Sequence, residues 1–304
     1  MQPVRLTDEQ FAQYLALVNG EIAPAGQATT IQEDFPLVLG EQNRDWVEGI
    51  VVDDQVVSGL TCLVRQFKTS CGTIPVAGIG HVVTRPDFRG RGFSRLLQDS
   101  LLARLRGANV PLAVLWTETP EVFAGRGFTP AGYEFHVDLE NMSEAPCPSG
   151  FTIRPYASED CATVERLYHR HPYRTLRHPG DSRLLYEMAG TRGLVAAGEG
   201  NVAAAAVFCG KGADFQGFAP EWSGPAGLVL PLLCEARRRG WLRFLLVPAG
   251  QEKMAETLVA TGCRAGVVPS GHWAVLQPDK LASYLQGAGH GAPAEVEDPR
   301  AVLG

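Results

Sequence analysis

The 304-residue chain has no uninterrupted apolar stretch near the ~20 residues that a membrane-spanning helix needs. Its N-terminus lacks a basic segment leading into an apolar run, the mark of a secretory leader. These two absences predict a soluble, unexported protein that works in the cytoplasm, away from membranes. The sequence also has no CxxC pair and no histidine at ligand spacing from a cysteine. Its seven cysteines, Cys62, Cys71, Cys147, Cys161, Cys209, Cys234 and Cys263, are odd in number and scattered. That pattern argues against a disulfide framework and predicts no metal site, leaving reduced and mostly structural thiols. Basic runs interleaved with aromatics are missing too, and the net charge is -6. Nucleic acid is therefore not an expected partner, whereas a small cationic acceptor is compatible with the charge.

What the chain does contain is an ordinary globular composition, 45% apolar and 20% charged, at a length that suggests about two domains. A short strand at residues 4–6 precedes Thr7, which can cap a helix while Gln10 reaches back to complete the box. Phe11, Tyr14, Leu15 and Val18 then recur at helical spacing and give that helix a buried face. Residues 20–44 show no clear period beyond a short helix and a loop. Two β-rich runs, 46–52 and 55–64, flank Asp53-Asp54 and read as a hairpin. A third strand, 74–83, leads into the stretch on which the chain turns.

That stretch, Thr84-Arg85-Pro86-Asp87-Phe88-Arg89-Gly90-Arg91-Gly92-Phe93-Ser94-Arg95-Leu96-Leu97, joins the apolar run to an amphipathic helix through a glycine-rich, arginine-flanked turn. Its glycines let backbone approach a ligand closely, and the first amides of a helix have no intrahelical partner. Together they make an anion cradle that suits a pyrophosphate. Read alone, the motif also fits a plain strand-to-helix turn with solvated arginines. The helix carries Phe93, Leu96, Leu97, Leu101 and Leu105 on one side, and Gly107 is expected to end it as a left-handed C-terminal residue. Residues 110–116 are nearly all apolar, as in a strand buried on both faces, so strand, helix and strand form a parallel crossover. A short helix at 120–124, a turn at 125–127 and extended runs at 128–129 and 133–139 are expected to close the first half.

Residues 143–150 read as a linker, after which the order recurs. Ile153-Arg154-Pro155 with Ser158-Glu159-Asp160 repeats the first strand and capped helix, and residues 194–208 around Gly198-Glu199-Gly200-Asn201 repeat the hairpin. Gly240 and Gly262-Cys263 repeat Gly107 and Gly127-Phe128 at a near-constant offset. Where the first copy has Arg89 to Ser94, the second is aligned with residues 215–225, which hold Glu221 and no arginine. The tail from residue 287 reads as flexible.

Motif and element order together resemble the Gcn5-related N-acetyltransferase (GNAT) superfamily. The family's acetyl-CoA motif, Arg or Gln, two residues, Gly, one residue, Gly or Ala, reads here Arg89-Gly90-Arg91-Gly92-Phe93-Ser94, with Ser94 departing from Gly or Ala but small enough for the helix start. An intact copy followed by a degenerate one resembles the tandem acetyltransferases. The resemblance implies an α/β fold of two tandem GNAT-like domains, each a mixed, mostly antiparallel sheet with a central parallel strand pair flanked by helices. Their expected bounds are 1–142 for the intact unit and 151–286 for the degenerate one. It implies acetyl-CoA as acyl donor, with amides of Arg89, Gly90, Arg91, Gly92, Phe93 and Ser94 on the pyrophosphate and main-chain groups of Val82, Val83 and Thr84 on the pantetheine arm. Arg85, Arg91 and Arg95 are candidates to add charge there, and equally readable as solvated arginines.

The implied reaction is attack by a primary amine of a small molecule or peptide on the thioester, which asks for a base and an acid. His81 and Glu118 are the candidate bases. Each also has a structural reading, as a hydrogen-bonded strand histidine and as a water-facing carboxylate. The family's usual tyrosine acid would fall at Phe123, which cannot donate a proton; Tyr133 is a further donor candidate. Without an acid the chain also fits an acyl-CoA sensor that no longer turns over. In the second copy, residues 168–174 and Glu221-Trp222 read either as polar lining on the acceptor side or as a helix end and loop.

Overall fold

The computed structural model describes residues 2–23, 29–123, 125–212 and 215–286. The expected flexible tail from residue 287 lies outside the described residues, as does part of the segment 20–44. The chain divides into two compact units, one of residues 1–131 with the segment from Gly271 onward, the other Gly132–Ser270.

In the first unit Thr7 caps the helix Asp8–Glu21, its side chain accepting from the Gln10 amide while the Gln10 side chain accepts from the Thr7 amide. Phe11, Tyr14 and Val18 are buried along one face of this helix, as their spacing predicts. The hairpin Val47–Val52 and Gln55–Thr69 turns at Asp53 and Asp54, both in the left-handed region at φ 49° and 59°. Such a turn matches the right-handed twist of the flanking strands. The sheet order is Val4–Arg5, Val47–Val52, Gln55–Thr69, Gly72–Thr84, Leu112–Leu115, His272–Val275, Thr129–Pro130. All neighbours run antiparallel except Gly72–Thr84 with Leu112–Leu115, the expected parallel pair.

The helix Phe93–Gly107 lays Phe93, Leu97, Leu101 and Leu105 against the sheet residues Leu60, Ala77, Ile79, Ala113 and Leu115. It does not end where Gly107 predicts. Gly107 keeps helical geometry, and the left-handed residue is Asn109 at φ 58°. Asn tolerates that conformation because its short polar side chain bonds locally.

The second unit repeats the plan. A sheet ordered Glu221–Ser223, Ala203–Cys209, Arg192–Ala197, Thr152–Pro155 is antiparallel throughout. A second sheet pairs Gly217–Ala219 in parallel with Leu242–Pro248. The helix Ala226–Arg238 buries Leu228, Val229, Leu232 and Leu233 in the core of this unit.

The units differ from the expected 1–142 and 151–286 through an exchange of strands. Glu134–Asp138, expected to close the first half, instead lies between Leu242–Pro248 and Arg264–Val268 of the second unit. Conversely His272–Val275, from the C-terminal end, sits between Leu112–Leu115 and Thr129–Pro130 of the first. Helix Pro278–Gln286 follows it, with Leu281 and Leu285 buried against Ile74 and Leu112. Strand propensity marks these segments as β but carries no information about which edge each one joins.

Candidate functional site

The parallel pair fixes the site. Gly72–Thr84 and Leu112–Leu115 are registered at Val76 with Leu112, Ala77 with Ala113 and Gly78 with Val114, and at no described residue beyond. Past Gly78 the first strand continues to Thr84, while this neighbour ends one residue on at Leu115, so the edge of residues 79–84 has no described strand partner on that side. On its other side the same strand stays bonded to Gln55–Thr69, with Val83 opposite Gly59 and Thr84 opposite Ser58. Ser58 Oγ also donates to the Val83 carbonyl at 2.9 Å and lies 2.7 Å from Thr84 Oγ1.

Thr84 leads into the cradle. Gly90 and Gly92 have φ 76° and 78°, the left-handed region where other residues are strained. A Cβ at either would meet no heavy atom within 4 Å, so conformation rather than crowding requires glycine, and the surface over the loop is open. Gly92 is the N-cap of Phe93–Gly107 and offers no side-chain cap. The first helical bond is Leu96 N to Gly92 O at 3.1 Å, so the amides of Phe93, Ser94 and Arg95 precede it. Ser94 Oγ accepts from Gln98 Nε2 at 2.8 Å, which leaves its own proton to donate. Donors, dipole and open space thus fit a pyrophosphate.

The arginines divide by their partners. Arg85 grips Asp87 with both ends of its guanidinium and reaches Gln55 Oε1 at 2.6 Å, so it braces the loop. Arg89 donates to the Thr84 carbonyl at 3.1 Å and pairs with Glu21 at the end of Asp8–Glu21. Arg91 lies over Phe88 at 4.6 Å and donates to the Asp87 carbonyl. Arg95 is only 3.8 Å from Asp99 and largely exposed. Arg91 and Arg95 therefore have the looser guanidinium groups at this loop.

His81 sits in a bulge. The register slips between Gly59 and Thr61, and His81 takes φ 51°. The extra residue reverses the expected alternation. Ile79 and Val82 face the core of helix Phe93–Gly107, Val83 faces that of helix Asp8–Glu21, and His81 turns to Thr61 and Phe35. Its Nδ1 is 3.0 Å from Thr61 Oγ1, and the Phe35 ring meets it edge-on at 4.7 Å. The buried Tyr14 hydroxyl donates to its carbonyl at 2.7 Å. Burial pulls the ring from the usual 6.5 to about 4, so the imidazole is neutral at pH 7.

Glu118 is exposed three residues past the strand Leu112–Leu115. Phe123 is 7% exposed and packs edge-on against Phe128. Tyr133 belongs to the second unit, where its hydroxyl donates to Glu252 at 2.5 Å, a bond that pushes its pKa up to about 12.

Among the described residues the second unit has no counterpart to the cradle, for a reason that position along the sequence does not reveal. Gly217–Ala219 and Glu221–Ser223 are the counterpart of Gly72–Thr84, interrupted at Pro220, and only Gly224-Pro225 connects them to helix Ala226–Arg238. Two residues cannot wrap a phosphate. Glu221 is spent internally, its Oε2 accepting from Arg177 at 2.8 Å and Lys211 at 2.5 Å. Burial alone would raise its pKa, but the two cations hold it well below the usual carboxylate range. His171 donates from Nε2 to the Trp222 carbonyl and accepts at Nδ1 from Gln251. Thr61, Ser58 and Glu21 were missed, because small polar residues on strands and a glutamate at a helix end have no distinguishing sequence signal.

Residues 3–131 match the acetyltransferase (GNAT) domain family. Among solved structures the chain is similar to a protein of Enterococcus faecalis described as a probable N-acyltransferase, at 17% identity and TM-score 0.68, covering 94% of this chain and 73% of that one. It is also similar to a GCN5-related N-acetyltransferase from Anabaena variabilis, at 14% identity and TM-score 0.67, covering 92% and 74%. A third likeness is to Eis1 from Mycobacterium abscessus, at 12% identity and TM-score 0.65, covering 93% and 76%. At these identities the likeness is one of fold. None of the curated proteins compared matches the chain.

Proposed function

We propose that the chain, whose residues 3–131 match the acetyltransferase (GNAT) domain family, transfers an acyl group from acetyl-CoA to a primary amine by direct attack. The observation that carries the reading is the conjunction of two left-handed glycines, an uncapped helix start and a parallel pair that stops pairing at Gly78. The amides of residues 89–94 would hold the pyrophosphate, with the Ser94 hydroxyl as a further donor. Main-chain groups of Val82, Val83 and Thr84 would hold the pantetheine amides, with the Val83 carbonyl already accepting from Ser58 and the Thr84 carbonyl from Arg89. Acetyl-CoA supplies a thioester carbon and a thiolate leaving group with pKa near 8.5.

The chain's own residues must then handle one proton. Thr61 has a single hydroxyl proton, donated to the Gly80 carbonyl at 3.1 Å, so at 3.0 Å His81 Nδ1–H is the donor to Thr61 Oγ1. That tautomer leaves Nε2 with the lone pair. A ring with pKa about 4 takes a proton only transiently, so His81 works on an amine that is already deprotonated or through water. Glu118, exposed, is the alternative base for the incoming ammonium. The nitrogen bonds to the thioester carbon, the C–S bond breaks, and the amine proton leaves through the base. Phe123 returns no proton to sulfur, which is a tolerable loss for a thiolate.

The test has two arms. Acetyl-CoA should raise the melting temperature of the wild type, and the double variant Arg89→Glu, Gly92→Glu should abolish the shift; no shift in the wild type ends the proposal. A primary-amine panel read by free-thiol release should then give turnover. A shift with no release across the panel would leave an acyl-CoA sensor.

A further inference from the structure

The residue after the strand Leu112–Leu115 is out of character with it. Val114 is 4% and Leu115 1% exposed, yet Trp116 is 67% exposed, more than any other large apolar side chain described. Its place follows from alternation along the strand. Ala113 and Leu115 face the helix Phe93–Gly107, so Val114 and Trp116 take the opposite face, where Val114 packs with Trp273 and Ala131. On that same face the neighbouring strand presents Gly78, registered against Val114, and then Gly80. A Cβ at Gly78 would meet nothing closer than the Leu63 carbonyl at 3.8 Å, and at Gly80 nothing closer than Thr61 Oγ1 at 3.8 Å. The bulge turns His81 toward Thr61, hence to this face as well. A floor without side chains therefore runs from His81 past Gly80 and Gly78 toward an exposed indole, along the edge where the two strands stop pairing.

We infer that Trp116 is the wall on which the acceptor amine lays a flat aromatic body, so that the enzyme selects primary arylalkylamines over short aliphatic amines. The inference rests on the acyl-transfer reading above. A planar body is favoured because an indole offers a broad apolar face that stacks with another ring, and a floor without side chains leaves room for a second ring beside it. The charge is complementary: Glu118 and Glu121 are both exposed within five residues of Trp116, and carboxylates there attract an arriving ammonium. The carboxylates draw the amine to this end of the floor, and with the aromatic body laid on Trp116 the amine end reaches toward the His81 side, where the thioester carbon is expected.

The experiment compares 2-phenylethylamine with ethylamine in the wild type, Trp116→Ala and Trp116→Phe. Thiol release gives kcat and KM, and the acetyl-CoA melting shift serves as a check of fold and donor site. The wild type should favour 2-phenylethylamine in kcat/KM by about tenfold or more, the range that an apolar contact of this size provides. Trp116→Ala should bring the two amines close to parity through a raised KM for 2-phenylethylamine. Trp116→Phe should restore most of the preference, and all three proteins should keep the acetyl-CoA shift. Equal use of both amines by the wild type, or a preference that survives in Trp116→Ala, overturns the inference. If the shift is present and no amine releases thiol, the acyl-transfer reading has failed. Calorimetry of 2-phenylethylamine on CoA-saturated protein then decides about the wall: binding weakened in Trp116→Ala supports it, and absent or unchanged binding overturns it.

Discussion

Thr61 Oγ1 stands 3.0 Å from His81 Nδ1 in a strand bulge that holds His81 at φ 51°. The pair fixes the ring's orientation, and the burial that comes with it lowers the ring's pKa from 6.5 to about 4. The unfolded ring takes a proton near pH 6.5 and the folded ring only near pH 4. Between those values the unfolded state binds more protons, so acid works against the fold. The contribution is fully present above pH 6.5 and gone below pH 4, a difference of about 3 kcal/mol. Urea midpoints at pH 7, 5 and 4 should fall with pH in the wild type and fall less in His81→Gln. Parallel pH dependences in the two proteins would show that the ring is not the titrating group.

Glu21 should affect donor binding without touching donor. It holds the Arg89 guanidinium that also bonds the Thr84 carbonyl, and so ties the end of helix Asp8–Glu21 to the cradle. The pair is partly exposed, so Glu21→Gln should cost about 1 kcal/mol or less of stability. Its larger effect should be a several-fold weaker acetyl-CoA affinity by calorimetry, with an amine KM near that of the wild type. Unchanged donor affinity would mean that the cradle keeps its shape without this tie.

The strand exchange makes the sequence-expected boundaries unsuitable for cutting the chain. A fragment of residues 1–142 lacks His272–Val275, and so exposes the edge of Leu112–Leu115 and the apolar faces of Ile74 and Leu112. Open edges of that kind drive aggregation. That fragment should be insoluble or unfolded by circular dichroism, and a chain ending at 270 should lose its cooperative melt. A well-folded 1–142 fragment would mean that the exchanged strand is dispensable.

These cases show what was legible and what was not. Local signals are legible in the sequence: the Thr7 and Gln10 box and the Asp53-Asp54 turn each depend on a few adjacent residues. Gly107 misled because Asn109, two residues on, could take the same conformation. The exchange of Glu134–Asp138 for His272–Val275 was invisible, since alternation along a strand does not say which edge it will join. In the second copy, matching by position placed a loop over Gly217–Ser223, where a three-residue pairing on each side of Pro220 forms strand instead. At the site, the bulge at His81 overrode strand parity, and parity is the only guide to side-chain direction that a sequence offers.

Buried charge in the second unit gives a stability prediction. Glu221 Oε2 accepts from both Arg177 and Lys211, and all three side chains are about 90% buried or more. Glu221→Gln leaves two cations without their counter-charge and should cost about 3–5 kcal/mol in chemical denaturation. Glu144→Gln, at the exposed pair with Arg237, should cost less than about 1 kcal/mol. The double variant Glu221→Gln, Lys211→Met should recover part of the loss. Similar costs for the two single variants would contradict the burial argument.

On the acyl-transfer reading, Phe123 bears on how the thiolate leaves. Its ring is 7% exposed and meets Phe128 edge-on at 6.1 Å, so truncation to alanine would open a cavity and cost about 3–5 kcal/mol. Phe123→Tyr keeps the ring and adds a hydroxyl where the resemblance expects the acid. A general acid contributes about 10²–10⁴-fold where the leaving group needs one, and a thiolate needs it least, so the gain in kcat should fall at or below the low end of that range. The gain should also depend on pH, disappearing above the tyrosine's pKa as the donor proton is lost. An equal or lower kcat in a Phe123→Tyr protein that keeps the wild-type melting temperature and acetyl-CoA shift would show that sulfur leaves unprotonated, and that the aromatic pair with Phe128 is Phe123's whole contribution.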